Sequence, residues 1–223
     1  MIQNDLMIQS AILLARLNGL GFDIRADDDF ERIMNRVRET GKTSLTPMFA
    51  LNRNDFTKGS AFWAFLTKDK ARVGGVAARY YDLNGEGLDS YLKRTSNAQY
   101  GDHREVIQSV APPVALTIKG RLVYFGELQF ARETRGNPRV LAAFARLSMI
   151  LAAMTWPDFD WMYAFVAKEH TRLAEIYGFT YRLPRAITWN EPVPAGRLDT
   201  HVLAAISASD FAHLLATGEL SEL

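Results

Sequence analysis

The sequence contains no cysteine, which excludes disulfides, thiolate nucleophiles and cysteine-ligated metals and fits a reducing cytosol. Neither sign of charge is in excess. With 26 Lys and Arg against 25 Asp and Glu, the formal net charge is +1, so no global field draws the chain to nucleic acid or to an anionic membrane. Any basic site must be local. Histidine is scarce: His103, His170, His201 and His213 have no ligand spacing and no metal motif occurs, so no metal centre is expected. The opening stretch MIQNDLMIQSAILLARLNGLG carries Asp5 where a secretory leader has a basic region, and Arg16 interrupts its apolar run well short of a membrane span. Repeats, low-complexity runs and long linkers are lacking too. The expectation is a cytoplasmic protein with neither nucleic-acid nor membrane partners.

What the chain does have is apolar mass. At 223 residues and 48% hydrophobic it can bury one sizeable core, and a single domain over residues 1–223 is expected, with a C-terminal extension over about 190–223. A first amphipathic helix ends near Gly19, and FDIRA is a strand. DDDFERIMNRVRETG is a helix with Asp27 to Asp29 as N-cap and first-turn carboxylates and Gly41 as C-cap. AFWAFLTKDKARVGGVAARYYDL predicts a hairpin turning at TKDKAR, with Gly74 and Gly75 marking a bulge or a close backbone approach. GLDSYLKRTSNAQY is a helix, and PPVALTIKGRLVYFGELQFARETRG predicts a second hairpin around its KG turn.

From Pro138, PRVLAAFARLSMILAAMTW is apolar almost all round and predicts a buried helix ended by Pro157. DFDWMYAFVAKEH then reads as a strand, TRLAEIYGF as a short helix closed by Gly178, and TYRLPRAITW as a strand interrupted at Pro184. HVLAAI is a further strand and SASDFAHLLATG a capped helix. This order implies the α/β class, of α+β type: a mixed, mostly antiparallel central sheet flanked by helices.

The turn FARETRGNPRV, Phe130 to Val140, admits two readings. It is a strand-to-helix turn able to cradle a phosphate, or a helix start capped by Asn137 with Pro138 at its first position. The cluster Arg132, Arg135 and Arg139, with Arg146 farther along the helix, could hold phosphate through guanidinium groups; a solvated basic edge has the same sequence.

The element order, together with FARETRG and LAEIYGF, resembles the GNAT superfamily of acyl-CoA-dependent N-acyltransferases over roughly Ile24 to Trp189. The resemblance implies a V-shaped split between the strand ending near Arg132 and the strand ending near His170, and acetyl-CoA or another acyl-CoA as donor. It implies Phe130, Arg132, Arg135, Gly136, Asn137, Arg139 and Val140 as cofactor-binding positions. Pro138 and Val140 depart from the family's glycine-rich turn: one lacks an N–H and the other adds a branched side chain. The acceptor is expected to be an amine on a small molecule or peptide, with acyl carrier protein as an alternative donor and a homodimer as an assembly. A non-catalytic binding module on the same fold is the reading from another class.

Acyl transfer to an amine needs a base, a polarised carbonyl and a proton for the leaving thiolate. Glu127, the one carboxylate in LVYFGELQF, is the candidate base; strand alternation sets it with Phe125 and Gln129 and opposite Leu128 and Phe130, so it could equally face solvent. Phe130 and Arg132 are the candidate backbone donors to the thioester carbonyl. The family's usual tyrosine position is Ala174, which leaves Tyr177 as candidate acid and His170 as candidate base or acid, each of which could instead be a packing or surface residue. Phe49, Phe56 and Tyr81 are candidates to line the acceptor pocket.

Overall fold

The computed structural model describes residues 2–100 and 104–222, so His103 lies outside the described residues. The elements in chain order are α1 (Ile2–Gly19), β1 (Asp23–Asp27), α2 (Phe30–Glu39), β2 (Ala61–Lys68), β3 (Ala71–Asp82), α3 (Leu88–Tyr100), β4 (Ile107–Val110) and α4 (Pro112–Thr117), followed by β5 (Arg121–Phe130), α5 (Pro138–Thr155), β6 (Trp161–Val166), α6 (Thr171–Tyr177), β7 (Tyr181–Pro184), β8 (Ile187–Trp189), β9 (Val202–Ser207) and α7 (Ala208–Thr217). Seven strands make the main sheet in the order β1-β2-β3-β5-β6-β9-β7, and β4 with β8 makes a separate ribbon. Among the described residues only β5 and β6 run parallel, and α5 is their crossover; the other pairs of the main sheet are antiparallel. A mixed, mostly antiparallel sheet flanked by helices is therefore the fold.

The sheet is covered on both faces, which is why its strands read as continuous apolar runs. On β2, Phe62, Ala64 and Leu66 enter one core with α1, α5, α6 and α7, while Ala61, Trp63 and Phe65 enter the other with α2 and α3. Helix α5 lies in the first core. By length and composition alone it could cross a membrane, yet 67% of it is buried inside the fold, and that burial accounts for its nearly uniform apolarity. The β2–β3 turn places Asp69 and Lys70 at φ 49° and 68°, the pair of left-handed residues that a two-residue hairpin turn requires.

Two expectations are corrected. PPVALT is the helix α4 rather than a strand: Pro112 and Pro113 occupy its first turn, where a missing N–H costs nothing, and Ile118 N donates back to Val114 O at 2.9 Å. No second hairpin forms, and β5 pairs with β3 instead. Asp29 precedes α2 without a side-chain capping bond, whereas Asp27 ends β1 and ion-pairs with Arg36 of α2. Within residues 190–223, β9 is inserted between β6 and β7 inside the main sheet.

Gly126 sits where β5 loses its pairing with β6 and keeps β3. A Cβ there would lie 2.7 Å from Phe49 Cε2 and 3.3 Å from Tyr124 Cε1, and Phe49 cannot retreat because it is fully buried and stacked on Tyr124 at 5.4 Å. Gly126→Ala is expected to cost about 1–3 kcal/mol of stability, as overpacking does, read as a lower urea midpoint. An unchanged midpoint would show that the Phe49 ring is free to move.

Candidate active site

Strands β5 and β6 pair from Leu122 with Trp161 to Phe125 with Ala164, and no farther. Beyond Phe125 they separate, while β3 stays with β5 as far as Phe130. The register then slips. Gly75 faces Gln129 and Ala77 faces Gly126, so Glu127 and Leu128 together oppose Val76, a bulge on β5. Glu127 takes φ 62°, a left-handed conformation that costs an L-residue about 1–2 kcal/mol.

What holds it is the carboxylate. Oε1 accepts from Thr46 N at 2.8 Å and from Thr46 Oγ1, and Oε2 accepts from Lys42 Nζ. The side chain is 3% exposed. The strict alternation expected around Glu127 therefore fails: the bulge turns it to the loop before β2 rather than to solvent.

Between the separated strands lies a cleft of about 840 Å³. Its walls include Phe125, Leu141, Ala145 and Met149 from the α5 face of the sheet, and Tyr124, Arg197 and His201 from the other. The cleft thus passes through the sheet at the split. Ala131 N donates to Val73 O at 2.8 Å, and alternation along an antiparallel ladder then makes Phe130 and Gly74 a non-hydrogen-bonded pair. The Phe130 N–H and C=O consequently point away from β3 and into the gap, where the C=O accepts from Arg135 Nε at 2.7 Å.

The cleft gathers Glu127, Phe130, Arg135, Gly136, His170 and Tyr177. His170 is exposed in the 3-10 turn before α6 rather than on strand β6. Burial pushes the Tyr177 phenol up to about 12, so it keeps its proton at neutral pH. Arg132, Asn137, Arg139 and Val140 are not in the cleft wall. Asn137 accepts from Val140 N at 3.2 Å, and the fully buried Val140 side chain points into the core. The self-capped helix start is thus what forms, and Val140 does not crowd the cleft. Arg146 leaves the basic cluster: it donates to Ile176 O at 2.8 Å, Glu219 O at 3.0 Å and Glu222 O at 2.5 Å. Phe49, Phe56 and Tyr81 pack in the core facing α2 and α3, and none lines the cleft.

A bulged strand whose free edge faces a through-sheet cleft, opposite the start of the crossover helix, decides the architecture. The chain has a GNAT-like fold. No family model matches it, and no curated protein does. Among solved structures it is similar to an N-acyl amino acid synthase from uncultured soil microbes, at 12% identity over 85% of this chain and 92% of that one, with TM-score 0.45. An acyl-CoA N-acyltransferase from Pseudomonas aeruginosa is similar at 11% identity over 83% and 99%, TM-score 0.45. NAA60 of Arabidopsis thaliana, solved in complex with acetyl-CoA, is similar at 13% identity over 84% and 99%, TM-score 0.45.

Within this GNAT-like fold the site also contains residues that sequence reasoning missed. Lys42 and Thr46 bind Glu127, and both also border a second cavity of about 960 Å³ that adjoins the cleft. His201 lines the cleft, and burial and then Arg197 pull its imidazole below the ordinary value. Lone loop residues carry no local signal of such convergence.

Proposed function

We propose that the chain is an acyl-CoA-dependent N-acyltransferase for a small amine. The observation that carries this reading is the free, bulged edge of β5 in the cleft, with the Phe130 N–H unpaired beside Glu127 and Tyr177. In the reaction the amine nitrogen bonds to the thioester carbonyl carbon, the C–S bond breaks, the amine loses one proton and the thiolate gains one. Acyl-CoA supplies the activated acyl group.

The residues fit such a donor. Leu141, Ala145, Met149, Val166 and Leu173 offer an apolar channel for an aliphatic arm, and the open edge of β5 offers amide hydrogen bonds to it. Arg135 and Gly136 stand at the channel's end near the α5 start. Arg132 and Arg139 are exposed there without a hydrogen bond or ion pair among the described residues, available to phosphate oxygens. The Phe130 N–H is placed to polarise the carbonyl as its oxygen becomes negative. Three of the roughly four lone-pair sites of the Glu127 carboxylate are taken by Lys42 and Thr46, and the fourth can accept from the amine. Tyr177, protonated at neutral pH, is the donor to the leaving sulfur.

Isothermal titration with acetyl-CoA and longer acyl-CoAs tests the donor, and thiol release tests turnover on a chain without cysteine of its own. Absence of binding to every acyl-CoA would sink the reading and favour the non-catalytic module. The exposed Arg132 and Arg139 favour one second reading, an acyl carrier protein as donor, which predicts turnover with acyl carrier protein and none with acyl-CoA.

The Asn137 cap competes with phosphate for the Val140 N–H. Asn137→Gly, which costs a helix start only a few tenths of a kcal/mol, is expected to tighten acyl-CoA binding several-fold by freeing that donor. Weaker binding in the variant would mean that the Asn137 amide itself contacts the ligand.

A further inference from the structure

Arg197 is buried, at 9% exposure, in a loop whose neighbours Ala195, Gly196 and Leu198 are exposed. Its guanidinium lies against the rings of Trp189 and Tyr100, at 5.9 Å and 6.0 Å, and Nε donates to Tyr100 Oη. The buried Tyr124 phenol lies beside it. Among the described residues no carboxylate comes within 4.0 Å of it, and Nη2 is buried without a hydrogen-bond partner. An arginine side chain stays cationic at every physiological pH. A cation taken out of water is stable only with an anion or an equivalent set of acceptors, and two ring faces and two neutral phenols supply no full negative charge. The carboxylate that lines the cleft among the described residues, Glu127, is already bound by Lys42 and Thr46.

Position decides which anion is missing. Arg197 lines the cleft on the Tyr124 face of the sheet, whereas Arg135, Gly136 and the start of α5 lie at its other end, where a donor's phosphates belong. The loop is held in place by its own bonds: Asp199 Oδ1 accepts from Trp189 N at 2.9 Å, and Arg197 N donates to Pro194 O at 3.0 Å. The guanidinium is thereby presented from a fixed frame. We propose that Arg197 is the carboxylate anchor of the acceptor site, so that the acceptor is an amino acid: one small molecule carrying the amine to be acylated and a carboxylate that pairs with Arg197. The inference rests on the acyltransferase reading for the word acceptor. The binding site itself does not need it.

The test is calorimetric titration of the full chain, without any acyl-CoA, against the α-amino acids, against β-alanine and 4-aminobutyrate, and against the amines that remain when the carboxylate is removed. At least one amino acid is expected to bind, with its decarboxylated amine weaker by at least about 100-fold, within the range for removing one partner of a buried charge pair. The ω-amino acids show whether the α-arrangement or a longer spacing matches the site. Arg197→Lys should retain part of the affinity and Arg197→Gln should lose it. Equal binding of amine and amino acid, binding unchanged in Arg197→Gln, or no binding of any amino acid overturns the proposal. The comparison of ligands on the unmodified protein holds even if the variants fold poorly. Failure of acyl-CoA to bind, in a separate titration, would count against the acyltransferase reading while leaving the carboxylate site standing.

Discussion

Glu127→Gln is expected to lower kcat by about 10²–10⁴-fold, the range for loss of a general base, and to destabilise the fold by about 3 kcal/mol, the lower end for breaking a buried ion pair. The lower end applies because Lys42 keeps 22% of its side chain exposed and can recruit water. The two effects have separate origins. The stability loss comes from leaving Lys42 half-buried without its counter-charge, and the loss of turnover comes from removing the proton acceptor. A double variant, Glu127→Gln with Lys42→Met, should regain most of the stability and none of the activity. Urea unfolding and thiol-release kinetics read the two quantities independently. Full turnover in Glu127→Gln would reduce the carboxylate to an anchor for the bulge and point to His201 as the base.

Stability is expected to fall steeply above about pH 10, where exposed phenols begin to ionise. The Tyr177 phenol is pushed by burial from its ordinary 10.0 to about 12, and burial drives Tyr81, Tyr124 and Tyr163 upward as well. Below the unfolded value both states hold their protons and folding loses nothing. Between the unfolded and folded values only the unfolded chain ionises, so each pH step pulls the equilibrium toward it. For Tyr177 alone, carrying the phenol from 10 to about 12 amounts to about 3 kcal/mol. Urea midpoints at about pH 8 and about pH 11 should therefore differ strongly, and Tyr177→Phe should narrow the gap by about 1.4 kcal/mol, the part of that amount realised by pH 11. A flat profile would mean that water already reaches these phenols.

Helix α5 was legible because its signals are local: Asn137 and Pro138 start it, and an apolar run without periodicity says that every side is covered. The split came from the resemblance to the GNAT superfamily and not from the runs themselves, since two apolar runs locate β5 and β6 but not the point at which their pairing ends. Residues 112–117 misled because a short apolar run with Val114 and Thr117 fits helix and strand equally, and the proline pair that decides between them reads as a helix start only once the helix is known. Glu127 misled for a different cause. A bulge is set by how β3 and β5 register against each other, and its left-handed position is held by Lys42 and Thr46, more than eighty residues away. Arg197 and His201 stand in a polar, proline-rich loop that looks solvated, and only the return of the chain through β9 brings that loop over the cleft.

The place of β9 also bears on how the molecule comes into being. Strand β7 is synthesised about twenty residues before β9, yet β9 lies between it and β6, so β7 has nothing to join until β9 arrives. During synthesis β6 waits as an open edge and β7 as a loose segment, an arrangement that invites wrong pairing. The Arg197 loop closes over the cleft in the same event. The main sheet and the Arg197 side of the cleft thus depend on the same segment, and a chain made only as far as β7 has neither.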